Sequence, residues 1–364
     1  MHRGCGRRGG VISFESTVDS PGWYSQSGPE NDVVVSTRLR LSRNLSGYQF
    51  ASNLDAREGE AVQTGIRNAF SGMGKEYHYC PMSDLAPVER RMLLERNLIS
   101  QDFSLQTAKA AVLREDFRFC AMVNEIDHLR MGLIYAGSSF SELWKELNSI
   151  DSRLEDSLDY AVSLEWGYLT ADVSNVGTGL KASAMVHLPA LVETGMIDKA
   201  LKAVVQLGYS VKGFFSDTEN SLGYLYQIAN PVSTGESEED LLGKLDGVVN
   251  QLVHYERTAR EEVLKKERLA TEDKIFRALG TLLHCRIIES KEAIDALNLV
   301  RFGIECGMIS LPIPAVTSLL FLSQKSHVQG LMEREKIQDT PVDAYRARMI
   351  RETLSSKMAG GWNV

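Results

Sequence analysis

Four short stretches of this chain gather residues whose types could do chemistry. NEIDHLR, residues 124–130, sets Glu125, Asp127, His128 and Arg130 around one isoleucine, Ile126. STRLR carries Arg38 and Arg40, GTGLKAS carries Lys181, and SVKGFF carries Lys212 just before the polar run SDTENS. A strand repeats every two residues, so Arg38 and Arg40 point to one face. Two guanidiniums aimed the same way need a polyanion or paired carboxylates between them. Spacing alone leaves both readings open, because a surface salt-bridge ladder satisfies it as well as an anion site, and each lone lysine reads first as solvated. Glu125 and Asp127 read either as working acids or as counter-charges holding the arginines. A hydrogen-bonded, partly buried ring is the plainer reading of His128, and His187 in MVHLPAL reads as structural.

The segments around these residues must position them. DVVVSTRLRL begins as a strand, and FRFCAMVNEIDHLRMGLIYA carries two apolar runs that predict two strands bracketing the acidic crossing. FSELWKELNSIDSRLEDSLDYAV repeats its apolar residues every three to four positions, a helix with one buried face and Ser139 as its N-cap. Gly177, Thr178 and Gly179 describe a polar loop of the kind that brings backbone N–H groups to an anion. Residues 197–207 read as a helix and GYSVKGFF as a strand. From Glu238 onward the apolar spacing is helical, so the chain divides near 255–265 into a mixed α/β body and a helical C-terminal part.

The bulk composition narrows the field. The chain has 364 residues, 43% hydrophobic and 24% charged, which is ordinary for about two globular domains. A formal net charge of −8 and a pI near 5.5 argue against nucleic acid or an anionic membrane as the main partner, so any anion site is a local concentration of cations. The five cysteines are scattered, with no C-x-x-C pair, which indicates neither a disulfide framework nor a zinc site and suits a cytoplasmic protein. No resident metal is expected. Residues 1–22 read as a disordered tail or an overlong translation start.

VVVSTRLRLSRNLSGYQF, VNEIDHLRM, SNVGTGLKASAMVHLPAL and VKGFFSDTENSLGYLYQIAN, in this order, resemble the phosphagen kinase (ATP:guanido phosphotransferase) family. The bacterial protein-arginine kinases look like the nearest branch, and the likeness continues to DAYRARMIRETL, covering about residues 23–357. It implies an antiparallel sheet flanked by helices, an α/β (α+β) catalytic core over 23–255, followed by a helical C-terminal domain over 256–364. It implies ATP, with Mg²⁺ accompanying the nucleotide, held by Ser36, Thr37, Arg38, Leu39 and Arg40, by Arg130, by Lys181, Ala182, Ser183, Ala184 and Met185, and by Lys212, Gly213, Phe214, Phe215, Ser216 and Asp217. Lys181 and Lys212 stand where arginines are typical, which keeps the charge but loses the planar fork. Asn97 stands where a histidine near the nucleotide is typical.

The acceptor side departs further from the family pattern. Transfer to a guanidinium asks for carboxylates that orient it and take its proton. Where the family places two glutamates and a reactive cysteine, this chain has Ile126, Asp217 and Asp172. Two readings follow. Either Asp172 and Asp217 supply the anions with Glu125 as buttress, leaving a slow or narrowly specific kinase, or the chain is a silent, nucleotide-binding adaptor. A kinase of free arginine or a related phosphagen is a third. Near the C-terminus, VDAYRA keeps Asp343 and Arg346 of a phosphoarginine-recognition motif but has Val342 in place of its first arginine; three apart on a helix, Asp343 and Arg346 also read as a simple pair. The resemblance further implies protein substrates with exposed arginine, a homodimer, a zinc-binding activator protein and an AAA+ unfoldase.

Overall fold

A computed structural model describes residues 21–214 and 222–358. The tail expected over 1–22 lies outside these residues as far as residue 20, as do Phe215, Ser216 and Asp217.

The body is one antiparallel sheet. Its strands are β1 (Val34–Arg43), β2 (Tyr77–Pro81), β3 (Ala110–Arg114), β4 (Phe119–Val123), β5 (Leu129–Ala136), β8 (Leu180–His187), β9 (Ser210–Gly213) and β10 (Leu225–Ala229); β6 (Val162–Ser163) and β7 (Gly167–Tyr168) form a separate ribbon. The sheet order is β2-β3-β4-β5-β1-β8-β10-β9, which puts β1 and β8 at the centre. The two apolar runs around the acidic stretch are β4 and β5, as their periodicity predicts.

Helices follow in chain order as α1 (Ala56–Ser71), α2 (Pro87–Glu95), α3 (Gln101–Ser104), α4 (Phe140–Glu155), α5 (Pro189–Glu193), α6 (Ile197–Gln206), α7 (Glu238–Lys266), α8 (Arg268–His284), α9 (Ser290–Glu305), α10 (Ile313–Leu322), α11 (Lys325–Arg334) and α12 (Val342–Met358). Helix α4 buries Leu143, Leu147, Ile150 and Leu154, and covers one face of β1. Leu39 pairs with Leu133 and Leu41 with Met131 on that face, and Arg43 reaches Asp151 of the helix at 2.6 Å. Ser139 occupies the N-cap, but its side chain makes no capping bond. Its hydroxyl donates to the Ala136 carbonyl at 3.3 Å instead.

The C-terminal helices share a continuous core with the sheet, running from Leu39 and Val186 to Leu279, Val300 and Phe321. The boundary expected at 255/256 falls inside α7, a single helix of 29 residues. Its buried stripe carries on through Ala259 and Val263, so no turn interrupts the chain there. A buried charge cluster ties the layers, with His187 of β8 at 3.0 Å from Glu305 and Arg301 at 2.8 Å from the same carboxylate. Among the described residues no helix is long and apolar enough to cross a membrane.

Candidate active site

Strand register alone brings the cations together. Residues directly opposite in an antiparallel pair share a face. Arg40 lies opposite Lys181 on β8, and Arg38 opposite Ser183. On the other side Arg40 faces Gly132, and Arg130 faces Ser42, two residues further along β1. Lys212 on β9 lies opposite Gln227 of β10, which lies opposite Met185, which in turn lies opposite Ser36. All five cations therefore stand on the one face of the sheet that α4 does not cover.

That face concentrates positive charge at close range. Burial, then Arg130 beside it, pushes the Arg38 guanidinium down to about 10. Burial, then Arg38 and Arg130, lowers Arg40 well below its ordinary value. Lys181 is lowered by burial first and by Arg40, with Lys212 and Arg130 adding, while Asp172 opposes them. Arg40 Nε is buried without a hydrogen-bond partner. Among the described residues, neither Arg38 nor Arg40 has a carboxylate within ion-pair distance. Glu125 offsets part of this charge from beyond pairing distance, and the excess that remains is what a polyanion site needs. Of the expected nucleotide residues, Ser36 and Ser183 are buried beside Arg38 and share a small cavity with Met185, Phe214, Gln227 and Asn97. Thr37, Leu39, Ala182 and Ala184 alternate to the opposite, core-facing side. Thr37 uses its hydroxyl on the Gly137 carbonyl at 2.7 Å.

The acidic stretch divides its roles. Glu125 pairs with Arg130 at 2.8 Å and accepts from the Ser100 hydroxyl at 2.7 Å. Burial would raise its carboxyl, yet Arg130 and the hydrogen bonds from Ser100 and the Ile126 N–H bring it below the usual glutamate range. It therefore holds the arginine in place. Asp127 makes no ion pair among the described residues and instead joins three loops, accepting from Asn44 Nδ2 and from the Ala171 N–H, each at 2.7 Å. His128 accepts from the Leu45 N–H at Nδ1, so the proton sits on Nε2 and goes to the Gln49 carbonyl at 2.7 Å. It is a neutral structural ring. Ile126 is 48% exposed.

Asp172 caps the short turn Val173–Asn175 by accepting from the Ser174 N–H at 2.9 Å. Hydrogen bonds from Ser174, reinforced by Lys181 and Arg130, hold its carboxyl below the ordinary aspartate range. It is thus an ionised, accessible carboxylate at the edge of the cation cluster. Cys120 also lies under Arg38, across from Gly132, but burial pushes its thiol up to about 12, so it is not a reactive thiol.

Two expectations change. The Gly177-Thr178-Gly179 loop does not offer its first N–H groups to an anion, because Gly177 donates to the Tyr168 carbonyl and Thr178 to the Ser233 carbonyl. Gly177 is needed there for its φ of 107°, and a Cβ would lie 2.6 Å from the Ser233 oxygen. At the C-terminus Arg346 is 1% exposed; its Nε donates to the Ser323 carbonyl at 2.6 Å, and Nη1 to the Ile288 carbonyl and Asp343. This pair closes the packing of α12 against the neighbouring helices. Sequence reasoning missed Ser100, Gly132 and Gln227, for which no local signal exists.

Comparison with known proteins agrees with this geometry. Residues 60–259 match the family described as "ATP:guanido phosphotransferase, C-terminal catalytic domain", and residues 268–360 match "Protein-arginine kinase McsB C-terminal domain". The chain belongs to the ATP:guanido phosphotransferase family and, within it, to the group of the bacterial protein-arginine kinases. It is 37% identical over 344 residues to the protein-arginine kinase of Bacillus licheniformis, covering 93% of this chain and 94% of that one. The Bacillus subtilis protein is 36% identical over the same shares of both chains. Among solved structures, a lombricine kinase aligns with a TM-score of 0.56 at 23% identity, covering 67% of this chain and 71% of its own. The duplicated taurocyamine kinase of Schistosoma mansoni aligns at 0.58 and 21%, covering 74% of this chain and 40% of that one. At those identities the two structures establish the shared fold.

Proposed function

We propose that this protein transfers the γ-phosphoryl group of ATP to arginine side chains of proteins. The observation that carries the reading is the row of five cations on one sheet face, with no carboxylate within ion-pair distance of Arg38 or Arg40 among the described residues. Phosphoryl transfer asks mostly for positioning and charge stabilisation. Arg38, Arg40 and Arg130 supply forked donors to phosphate oxygens, and Lys181 and Lys212 supply point charges. Mg²⁺, arriving with the nucleotide, would shield the remaining phosphate charge. Asp172 orients the acceptor guanidinium; with its low proton affinity it acts as an anchor for the cation more than as a base. Asp217 is the second acid in this proposal.

The relatives are named for protein substrates, and the proposal adopts that substrate class together with a cytoplasmic location and a homodimer. A zinc-binding activator and an AAA+ unfoldase complete the proposed partners. Ile126 favours a second reading, a nucleotide-binding adaptor without turnover, because an exposed isoleucine neither orients a cation nor takes a proton. Incubation with γ-labelled MgATP and an unfolded arginine-rich protein tests the choice. Acid-labile label on the protein is the expected result. Nucleotide binding without label would leave the adaptor, and label on free arginine alone would make it a small-molecule kinase.

A further inference from the structure

Helix α2 ends beside the cavity that Arg38 lines, and the C-terminal helices hold it there. Its last residue, Glu95, is followed by Arg96 and then by Asn97, whose backbone adopts a φ of 61°. The Asn97 N–H reaches the Leu94 carbonyl at 2.9 Å and the Leu98 N–H the Leu93 carbonyl at 3.0 Å. This pair of bonds stops a helix on a left-handed residue, a conformation that asparagine tolerates. Asn97 thereby lines the cavity with Arg38, Ser183 and Phe214, and its side-chain nitrogen is buried with no hydrogen-bond partner among the described residues.

The turn is clamped from far along the chain, with Arg96 and His327 separated by 231 residues. The Glu95 carboxylate accepts from the N–H groups of Ser326 and His327 at 2.9 and 3.0 Å, in the first turn of α11. It also meets His327 Nδ1 at 2.7 Å. Arg96 Nε lies 3.1 Å from Nε2 of the same ring. A guanidinium nitrogen can only donate, so Nε2 accepts and the proton sits on Nδ1, facing Glu95. One neutral imidazole thus grips two consecutive residues, with Arg96 0% and His327 1% exposed. The Arg96 carbonyl is fixed in addition by Trp23 Nε1 at 3.1 Å.

We propose that His327 is a positioning residue for nucleotide binding: through Glu95 and Arg96 it fixes the Asn97 amide in the cavity beside Arg38, so that the C-terminal helices take part in holding ATP. This rests on the nucleotide reading of the sheet face. Calorimetric titration of the full-length protein with MgATP tests it, comparing wild type, Asn97→Ala, His327→Leu and the double variant. Each single change is expected to weaken binding roughly five- to tenfold, the worth of one hydrogen bond. The double variant should bind no worse than the weaker single, and His327→Gln, whose amide can still accept from Arg96, should recover part of the loss. Wild-type affinity in His327→Leu, or losses that simply multiply in the double variant, would overturn the clamp. A wild-type protein that takes up no MgATP would instead overturn the reading of the sheet face. Thermal melts show whether His327→Leu folds, and if it does not, His327→Gln carries the same cycle against Asn97→Ala.

Discussion

Replacing Arg40 by methionine should separate binding from stability in opposite directions. Arg40 Nε is a buried donor without a partner, and such a group costs about 1–3 kcal/mol. Arg38 and Arg130 add like-charge repulsion. Methionine keeps most of the side-chain stem, so the packing over Gly132 survives. Arg40→Met should therefore stabilise the nucleotide-free protein by about 1 kcal/mol, seen as a rise of about 2 °C in Tm. It should also remove a charged contact to phosphate worth about 1.5–3 kcal/mol, weakening MgATP about 10- to 150-fold. Denaturant melts and calorimetry on one preparation read both effects. A variant that is destabilised by more than about 1 kcal/mol and still binds MgATP as well as wild type would refute the reasoning, because Arg40 would then be a structural residue.

The other expectations concern the acids. Arg130→Met leaves the Glu125 side chain, 6% exposed, without its cation, and should cost about 1–3 kcal/mol at neutral pH, measured by denaturant melts. Because the Glu125 carboxyl is lowered in the folded protein, its contribution is full above the ordinary glutamate value of about 4.3 and is lost as pH falls through the lower folded value. The variant should lose less stability than wild type over that acid interval, and equal acid sensitivity in both would contradict the pairing. Asp172→Asn keeps an oxygen for the Ser174 N–H and should leave MgATP affinity undiminished, while label transfer falls about 10- to 150-fold, the worth of one charged contact to the acceptor; retained turnover removes Asp172 from the reaction. Ile126→Glu, at an exposed position, should raise the transfer rate, and no gain would place the deficit elsewhere.

Much of the site follows from the chain in one dimension, and the limits are physical. The period of two in STRLR places Arg38 and Arg40 on one face without any knowledge of neighbours. Lys181, Arg130 and Lys212 join them only through the register of β5, β8, β9 and β10, which is set by pairings between distant segments. Their convergence was therefore expected from resemblance, and spacing could not supply it. Glu125 illustrates an ambiguity that local sequence does not resolve, since a carboxylate beside an arginine reads equally as a catalyst or a counter-ion until Ser100 and Arg130 are seen around it. The loop at Gly177 was misjudged because its N–H groups are taken by Tyr168 and Ser233, the latter 55 residues downstream of Thr178. Asp343 and Arg346 were legible as a helix pair, whereas the carbonyls of Ile288 and Ser323 that bury the arginine were not. The clamp on Asn97 left no trace in sequence, because His327 looks like any histidine near the start of a helix.

The central claim is that the five cations share one anion, the phosphate tail of a nucleotide. Calorimetric titration with MgATP at rising salt measures it directly. A saturable heat whose affinity falls with ionic strength, and which Arg38→Met with Arg40→Met abolishes, is the predicted result. No heat with the wild-type protein, or an affinity indifferent to both substitutions, would contradict it.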